Sequence, residues 1–204
     1  MSFTPDGTFG AFTVVVGNTI DVPIYLTQNG SELRLNSNGL FSSGVTLNYT
    51  ATSNAMITQA VLEFHWTDTD LNFASFNNTT GSGSAILEGL VINPPTDVVK
   101  PASGINFVRL GQVRFTSGLV GDVTNLSLSL TSENTDFVNL LDDGFGGIEV
   151  SPITFINGSI TAVPEPTSLV GGLILSAVGL FSTRRNRWRK SKVLKPNSST
   201  STLS

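Results

Sequence analysis

The sequence predicts an all-β domain, a β-sandwich or jelly roll of about eight to nine strands, followed by a single C-terminal transmembrane helix. Two observations predict the sandwich. Apolar residues alternate with polar ones in several short stretches, and turn-forming residues separate these stretches. A third observation predicts the helix, because an uncharged apolar run lies between a proline-rich turn and a basic cluster near the C-terminus.

The clearest strand covers residues 19–27, where four aliphatic side chains alternate with other residues and predict one buried face. Pro23 within it predicts an edge position or a bulge, because proline cannot donate to a sheet ladder. Between residues 105 and 115 the apolar parity changes at Leu110, which predicts a bulge near Gly111. Other alternating sets are Val45, Leu47, Tyr49 and Ala51, then Leu62, Phe64 and Trp66, then Leu126, Leu128 and Leu130.

Two further stretches complete the predicted domain. Residues 76–84 (FNNTTGSGS) are rich in turn-forming residues, so we expect a loop there and a strand at 85–92. The last strand, residues 159–163, follows an Asn-Gly step and runs directly into Pro164. The domain therefore ends where the C-terminal segment begins.

Charge is divided sharply along the chain. Residues 1–163 carry fourteen acidic side chains and only four basic ones, Arg34, Lys100, Arg109 and Arg114. So few cations argue against nucleic-acid binding, because few positive charges are available to neutralise phosphates.

With no cysteine, the chain has neither disulfides nor thiolate metal sites. The first residues lack the basic and apolar regions of a signal peptide, so we expect the natural start to lie upstream.

The C-terminal segment has three parts in a fixed order: the rigid turn Pro164-Glu165-Pro166, the apolar run 167–183 and a basic cluster. As a helix, the run would rise roughly 25 Å, at the short end of what a bilayer core of about 30 Å requires. The basic cluster is expected to stay cytoplasmic, which places the preceding domain outside. The main anchor residues are Leu169, Leu173, Ile174, Leu175, Val178, Leu180 and Phe181, and the cluster is Arg184, Arg185, Arg187, Arg189, Lys190 and Lys192.

This arrangement resembles the PEP-CTERM sorting signal, in which a Pro-Glu-Pro motif precedes a short transmembrane helix and an arginine-rich tail. The resemblance implies that Pro164, Glu165 and Pro166 are recognised by exosortase, a membrane-embedded transpeptidase of Gram-negative bacteria. It implies export, residence in the inner membrane during sorting, and then the cell surface or the extracellular space. The expected organisation is an exported β-sandwich at 1–163, a sorting signal at 164–192 and a disordered cytoplasmic tail at 193–204.

A second resemblance concerns the domain itself. The Gly17-Asn18-Thr19 turn before the strand at 19–27, the later GVTLNY stretch at 44–49 and Val113-Arg114-Phe115 are similar to patterns in cohesin-like and carbohydrate-binding-module-like sandwiches. The sequence departs from those families after Tyr49, where Thr50-Ala51 stands in place of Asp-Pro. The resemblance implies a non-catalytic binding domain.

Catalytic chemistry finds little support in the residues. The single histidine, His65, is expected on a half-exposed strand face, and no G-x-S-x-G motif occurs. A glycosidase needs two carboxyl groups facing one cleft, and spacing alone does not place Glu63 opposite another acid. We therefore expect no enzyme and no catalytic residue.

Calcium is the one cofactor candidate. Asp68 and Asp70 place oxygens at alternating positions, and Asp142 and Asp143 precede a glycine in a second loop. An EF-hand is excluded, because its sixth and twelfth positions would be Phe73 and Thr79.

The function expected from the sequence is a non-enzymatic cell-surface or extracellular-matrix protein, with exopolysaccharide as the ligand. Tyr25 is the predicted exposed aromatic for sugar stacking, whereas Trp66 is assigned to the core by its parity. The alternatives are a secreted hydrolase acting on matrix polysaccharide and a purely structural matrix protein. The expected partners are exosortase, the membrane and exopolysaccharide.

Overall fold

The computed structural model describes residues 1–28, 35, 40–63, 72–90, 100–102, 105–131, 138–141, 147–149 and 153–166. The chain divides into two compact units, Met1–Val163 and Pro164–Ser204. In the first unit, the described residues form twelve strands in two sheets, so the predicted all-β class is confirmed. The strands are β1 (Gly10–Val15), β2 (Thr19–Gln28), β3 (Leu40–Ala51), β4 (Ile57–Leu62), β5 (Phe73–Thr79), β6 (Ser82–Leu90), β7 (Lys100–Ala102), β8 (Ile105–Thr116), β9 (Val123–Leu130), β10 (Val138–Leu141), β11 (Gly147–Glu149) and β12 (Gly158–Val163).

Eight strands form the larger sheet, with the long strand β3 near its centre. On one side β3 pairs with β6, which in turn pairs with β5. On the other side it pairs with β9 and then, towards its start, with β10. Strand β12 pairs with β9, and β1 adds to β12 as a parallel edge strand. The order β5-β6-β3-β9-β12-β1 makes a continuous six-strand surface.

The smaller sheet has the order β2-β8-β4, with β7 added to β8. Strand β2 lies at its edge, and the ladder between β2 and β8 changes register between Ile24 and Tyr25. Both readings of Pro23, an edge position and a nearby bulge, are therefore confirmed. The shift leaves Leu110 as the extra residue beside Gly111, because Ile24 pairs with Gly111 and Tyr25 with Arg109.

The core lies between the two sheets and follows the predicted alternation. In β2 the buried residues are Val22, Ile24 and Leu26, and in β3 they include Val45, Leu47 and Tyr49. The bulge in β8 reverses the parity, so that Val108 and Leu110 point inward before it and Val113 and Phe115 after it. Ile105 and Phe107, which share parity with Val113, are consequently only half-buried.

The structure corrects the prediction for residues 76–84. They form the end of β5, a two-residue turn at Thr80-Gly81 and the start of β6, a tight hairpin rather than a loop. Gly81 has a φ of 76°, which a residue with a side chain rarely adopts.

The number of strands also differs from the prediction. Nine strands have six or more residues, in line with the expected number, and the short strands β7, β10 and β11 were not predicted.

The first three residues also belong to the sandwich. Ser2 forms an isolated bridge with Tyr25 of β2, and Phe3 is buried beneath the start of β1 and β12. Burial lowers the pKa of the Met1 amino group to about 6. Because Ser2 pairs with Tyr25, the N-terminal segment covers the edge of β2 at that residue.

Candidate functional site

The outer side of the larger sheet is a polar surface, which we call the polar face. It is defined by the outward residues of β5, β6, β3 and β9, which point away from the core because side chains alternate along a strand. Glu88 is the one charged residue in these four strands. Three amides and several hydroxyls dominate the face, with Phe73 and Ile86 at one end. Its members are Phe73, Ser75, Asn77, Thr79, Ser82, Ser84, Ile86, Glu88, Thr46, Asn48, Thr50, Val123, Asn125, Ser127 and Ser129.

The strand register arranges these side chains in rows. Asn77 pairs with Ser84, Ser84 with Asn48, and Asn48 with Ser127, so one row crosses four strands. Directly opposite residues of antiparallel strands project to the same side, with neighbouring strands about 4.8 Å apart. The side chains of Asn48, Ser127 and Asn77 are exposed, and they make no hydrogen bond to another described residue. Their donors and acceptors therefore face solvent.

A depression of about 290 Å³ interrupts the polar face where β12 begins, and we call it the Phe9 groove. Its floor is formed by the paired residues Asn48 and Ser127 and the paired residues Thr50 and Asn125. Phe9, which is 54% exposed, and the exposed Asn157 also line it. The remaining lining residues are Tyr49, Leu126 and Gly158, so every residue of the groove is uncharged.

Glycines in β1 and β12 position the groove. The parallel ladder pairs Gly10 with Gly158, which brings the preceding residues, Phe9 and Asn157, side by side. Gly10 N donates to Asn157 O at 3.3 Å. A β-carbon added at Gly158 would lie 2.7 Å from Phe3 Cδ2, and one added at Gly10 would lie 2.5 Å from Phe3 Cβ. Only glycine therefore lets both strands lie directly on the buried Phe3 ring.

The outer side of the smaller sheet has a different chemistry. Tyr25 lies on this side as predicted, but it is only half-buried rather than well exposed, because its ring meets Phe107 edge-on at 5.6 Å. Arg114 donates from Nε to Asp21 Oδ1 at 2.6 Å and from Nη2 to Oδ2 at 2.8 Å. This bidentate contact lowers the pKa of Asp21 and raises that of Arg114.

The second arginine of this side is also engaged. Arg109 Nε lies 3.1 Å from Glu63 Oε2, an ion pair without hydrogen-bond geometry, and Arg109 Nη2 donates to Gln112 Oε1. Glu63, one of the carboxylates considered for catalysis, thus has a cationic partner. Both described arginines of the sandwich are neutralised by acids, so neither offers an unpaired cation to an acidic polymer.

Several predicted site residues lie outside the described residues. These are the calcium candidates Asp68, Asp70, Asp142 and Asp143, together with His65, Trp66, the anchor residues and the basic cluster. Among the residues described, no group of three or more His, Cys, Asp or Glu side chains could hold a metal. No helix in that same part of the chain is long and apolar enough to span a membrane. Of the sorting motif, Pro164 is half-buried and Glu165 and Pro166 are exposed.

The groove residues were missed by the sequence interpretation. Alternation does place Asn48, Asn125 and Ser127 on outward positions, which was the available signal. The proximity of Phe9 and Asn157 depends on a parallel pairing between chain segments almost 150 residues apart, which periodicity does not reveal.

Comparison with known proteins gives distant structural similarity, at TM-scores below 0.5. No family model matches the chain, and neither does any curated protein. Similar solved structures include the third cohesin ScaC from Acetivibrio cellulolyticus, solved with the ScaB dockerin. It has 13% identity, a TM-score of 0.45, and coverage of 76% of this chain and 96% of the cohesin.

Two other cohesins give the same result. A non-cellulosomal cohesin from Archaeoglobus fulgidus has 13% identity and a TM-score of 0.40, covering 80% of this chain and 93% of its own. The OlpA cohesin from Clostridium thermocellum, in complex with a dockerin, has 11% identity and a TM-score of 0.46, covering 76% and 96%. At such low identities and TM-scores, the cohesins' partners are not transferred to this chain.

Proposed function

We propose that the sandwich is a non-enzymatic binding module for uncharged extracellular polysaccharide, and that the polar face is its binding surface. The observation that carries the proposal is the chemistry of this face. It presents amides and hydroxyls in rows, with solvent-facing donors and acceptors, and Glu88 is the only charge in its four strands. Sugar hydroxyls both donate and accept hydrogen bonds, and the same is true of Asn, Ser and Thr side chains together.

The charge distribution favours a neutral ligand over an acidic one. The described arginines lie on the opposite sheet and are paired with Asp21 and Glu63. Recognition of carboxylate or phosphate groups usually relies on arginine forks or lysine. Rows that cross four strands suit an extended polymer that contacts several side chains at once.

Export and sorting are the second part of the proposal. Strand β12 ends at Val163, and Pro164-Glu165-Pro166 follows without any intervening residue. Exposure of Glu165 and Pro166 supports their recognition by exosortase in the inner membrane, with the apolar run as anchor. The sandwich would then reach the cell surface or the extracellular matrix, where exopolysaccharide is the available ligand.

The two alternatives differ in what they require. A hydrolase needs two carboxyl groups across one cleft, whereas the Phe9 groove is lined by uncharged residues throughout. A purely structural matrix protein needs no ligand at all. No feature of the described residues favours either alternative over binding.

The proposal is tested by affinity electrophoresis of the full chain, solubilised in a mild detergent, through gels that contain one polysaccharide each. We expect hydroxyethyl cellulose or another neutral glucan to retard the protein and alginate to leave its mobility unchanged. Retardation by alginate alone, or by no polymer, would contradict the proposed function. Reducing-end release from the same glucan checks for hydrolysis, which we expect to be absent.

A further inference from the structure

We propose that the Phe9 groove binds a single neutral hexopyranose ring with equatorial hydroxyls, and that it is the specificity-determining subsite of the polar face. The inference rests on the proposed polysaccharide binding and adds the position of the site and the configuration of its sugar. It depends on Phe9, Asn157 and the four floor residues.

The size and chemistry of the groove suit one sugar ring. Its volume of about 290 Å³ lies just below the usual range of ligand sites, roughly 300–1,000 Å³, and so leaves room for a small ligand. Its polar lining consists of three amides and two hydroxyls, and it contains no charged side chain. Each asparagine offers a carbonyl acceptor and two N–H donors, so adjacent hydroxyls of a sugar can be bound in pairs.

Phe9 supplies the apolar surface that such a ring needs. A phenylalanine with 54% of its surface exposed loses the benefit of burial in the free protein, unless a ligand covers it. A pyranose with equatorial hydroxyls presents axial C–H bonds on its faces, and these pack against an aromatic ring. An axial hydroxyl would place a polar group against the ring and leave it without a partner, which is unfavourable.

The groove is held in shape before any ligand arrives. Its floor residues belong to the central ladder between β3 and β9, and Phe9 directly precedes the pair Gly10–Gly158 that packs on Phe3. Little ordering is therefore required on binding, which preserves affinity.

The test is calorimetric titration of the detergent-solubilised full chain with cellohexaose and with mannohexaose. We expect Phe9→Ala to raise the Kd for cellohexaose about tenfold and Phe9→Trp to retain binding. We expect Asn125→Ala to raise it several-fold. Gln59→Ala is the matched control, because Gln59 is an exposed amide on β4 of the smaller sheet, outside both the polar face and the groove.

Each outcome separates the two proposals. If the unmodified chain binds cellohexaose and Phe9→Ala binds it equally well, the subsite is wrong while polysaccharide binding stands. Equal affinity for mannohexaose, whose rings carry an axial hydroxyl, would overturn the assignment of configuration. A chain that binds neither oligosaccharide nor any neutral polymer would overturn both proposals.

Discussion

The side chain of Asn78 on the edge strand β5 forms hydrogen bonds with the backbone of Ile57 on the edge strand β4, and so joins the two sheets. Ile57 N donates to Asn78 Oδ1 at 3.0 Å, and Asn78 Nδ2 donates to Ile57 O at 2.8 Å. The hydroxyl of Tyr49 donates to the same Oδ1 at 2.9 Å. Among the described strands, β5 and β4 are the last of their sheets here, and the amide makes hydrogen bonds to β4 like those of a neighbouring strand.

Replacing Asn78 with alanine should destabilise the sandwich by about 2–3 kcal/mol, because two backbone groups and the Tyr49 hydroxyl lose their partners together. The measurement is the urea midpoint of the full chain in detergent, followed by circular dichroism. Asn77→Ala is the control, since Asn77 is exposed and points to the other side of β5. Equal midpoints for the two variants would show that the Asn78 bridge contributes nothing to stability.

Gly158→Ala should cost about 1–3 kcal/mol, because the added carbon has no room against Phe3 and Gly10 O. A double-mutant cycle with Phe3→Ala checks the cause. Phe3→Ala alone should cost about 3–5 kcal/mol, and in its background the additional cost of Gly158→Ala should shrink markedly. Strictly additive costs would mean that Phe3 is not the residue that demands glycine.

Asp122 should make the stability of the turns at one end of the sandwich sensitive to acid. It accepts hydrogen bonds from Ser53 Oγ and from Thr52 Oγ1, the latter at 3.1 Å, and from Leu119 N, and these lower its pKa below 3.8. A depressed folded-state pKa contributes stability above the unfolded value of 3.8, and this contribution is lost as the pH falls through the folded pKa.

We therefore expect Asp122→Asn to be less stable than the unmodified chain at pH 7, and the difference to narrow below pH 4. The measurement is the melting temperature of the unmodified chain and of Asp122→Asn at pH 7, 4 and 2.5. The hydrogen bond from Arg114 also lowers the pKa of Asp21, but Asp21 is present in both proteins and its effect cancels in the comparison. A difference that stays constant with pH would argue against an ionised Asp122 as the source.

Replacing Pro164-Glu165-Pro166 with three alanines should leave the protein full-length and membrane-bound in its own cells. The reason is that exosortase would lose its recognition motif while the apolar run keeps its anchoring capacity. Intact mass spectrometry of the membrane and medium fractions measures this, with Ser198→Ala plus Ser199→Ala as the control beyond the basic cluster. Unchanged processing of the triple-alanine variant would contradict the sorting assignment.

Local patterns in the sequence were sufficient for the strands with one buried face. The alternation in residues 19–27, the edge position of Pro23 and the bulge beside Gly111 are all present in the structure. Each follows from chemistry carried by neighbouring residues: period-two burial, a missing N–H donor and a change of parity. The sorting motif and the anchor are predicted in the same local way, and they stay predictions.

The hairpin between β5 and β6 was wrongly predicted to be a loop, because only residues close along the chain were considered. Asn77, Asn78 and the glycines near them have low strand propensity, so the segment looked like a loop. In the structure the ladder to β6 and the bond from Asn78 to Ile57 stabilise the extended form. A long-range partner thus outweighed the local preference.

Period-two alternation and composition were enough to predict the all-β class and the buried side chains of strands such as β2, because both depend on residues close along the chain. The packing of the sheets sets the rest: it brings particular polar residues together, places Phe9 beside Asn157 and pairs both described arginines with acids on the smaller sheet. Those relationships depend on strand order and register between distant segments, and they arise only when the two sheets pack together.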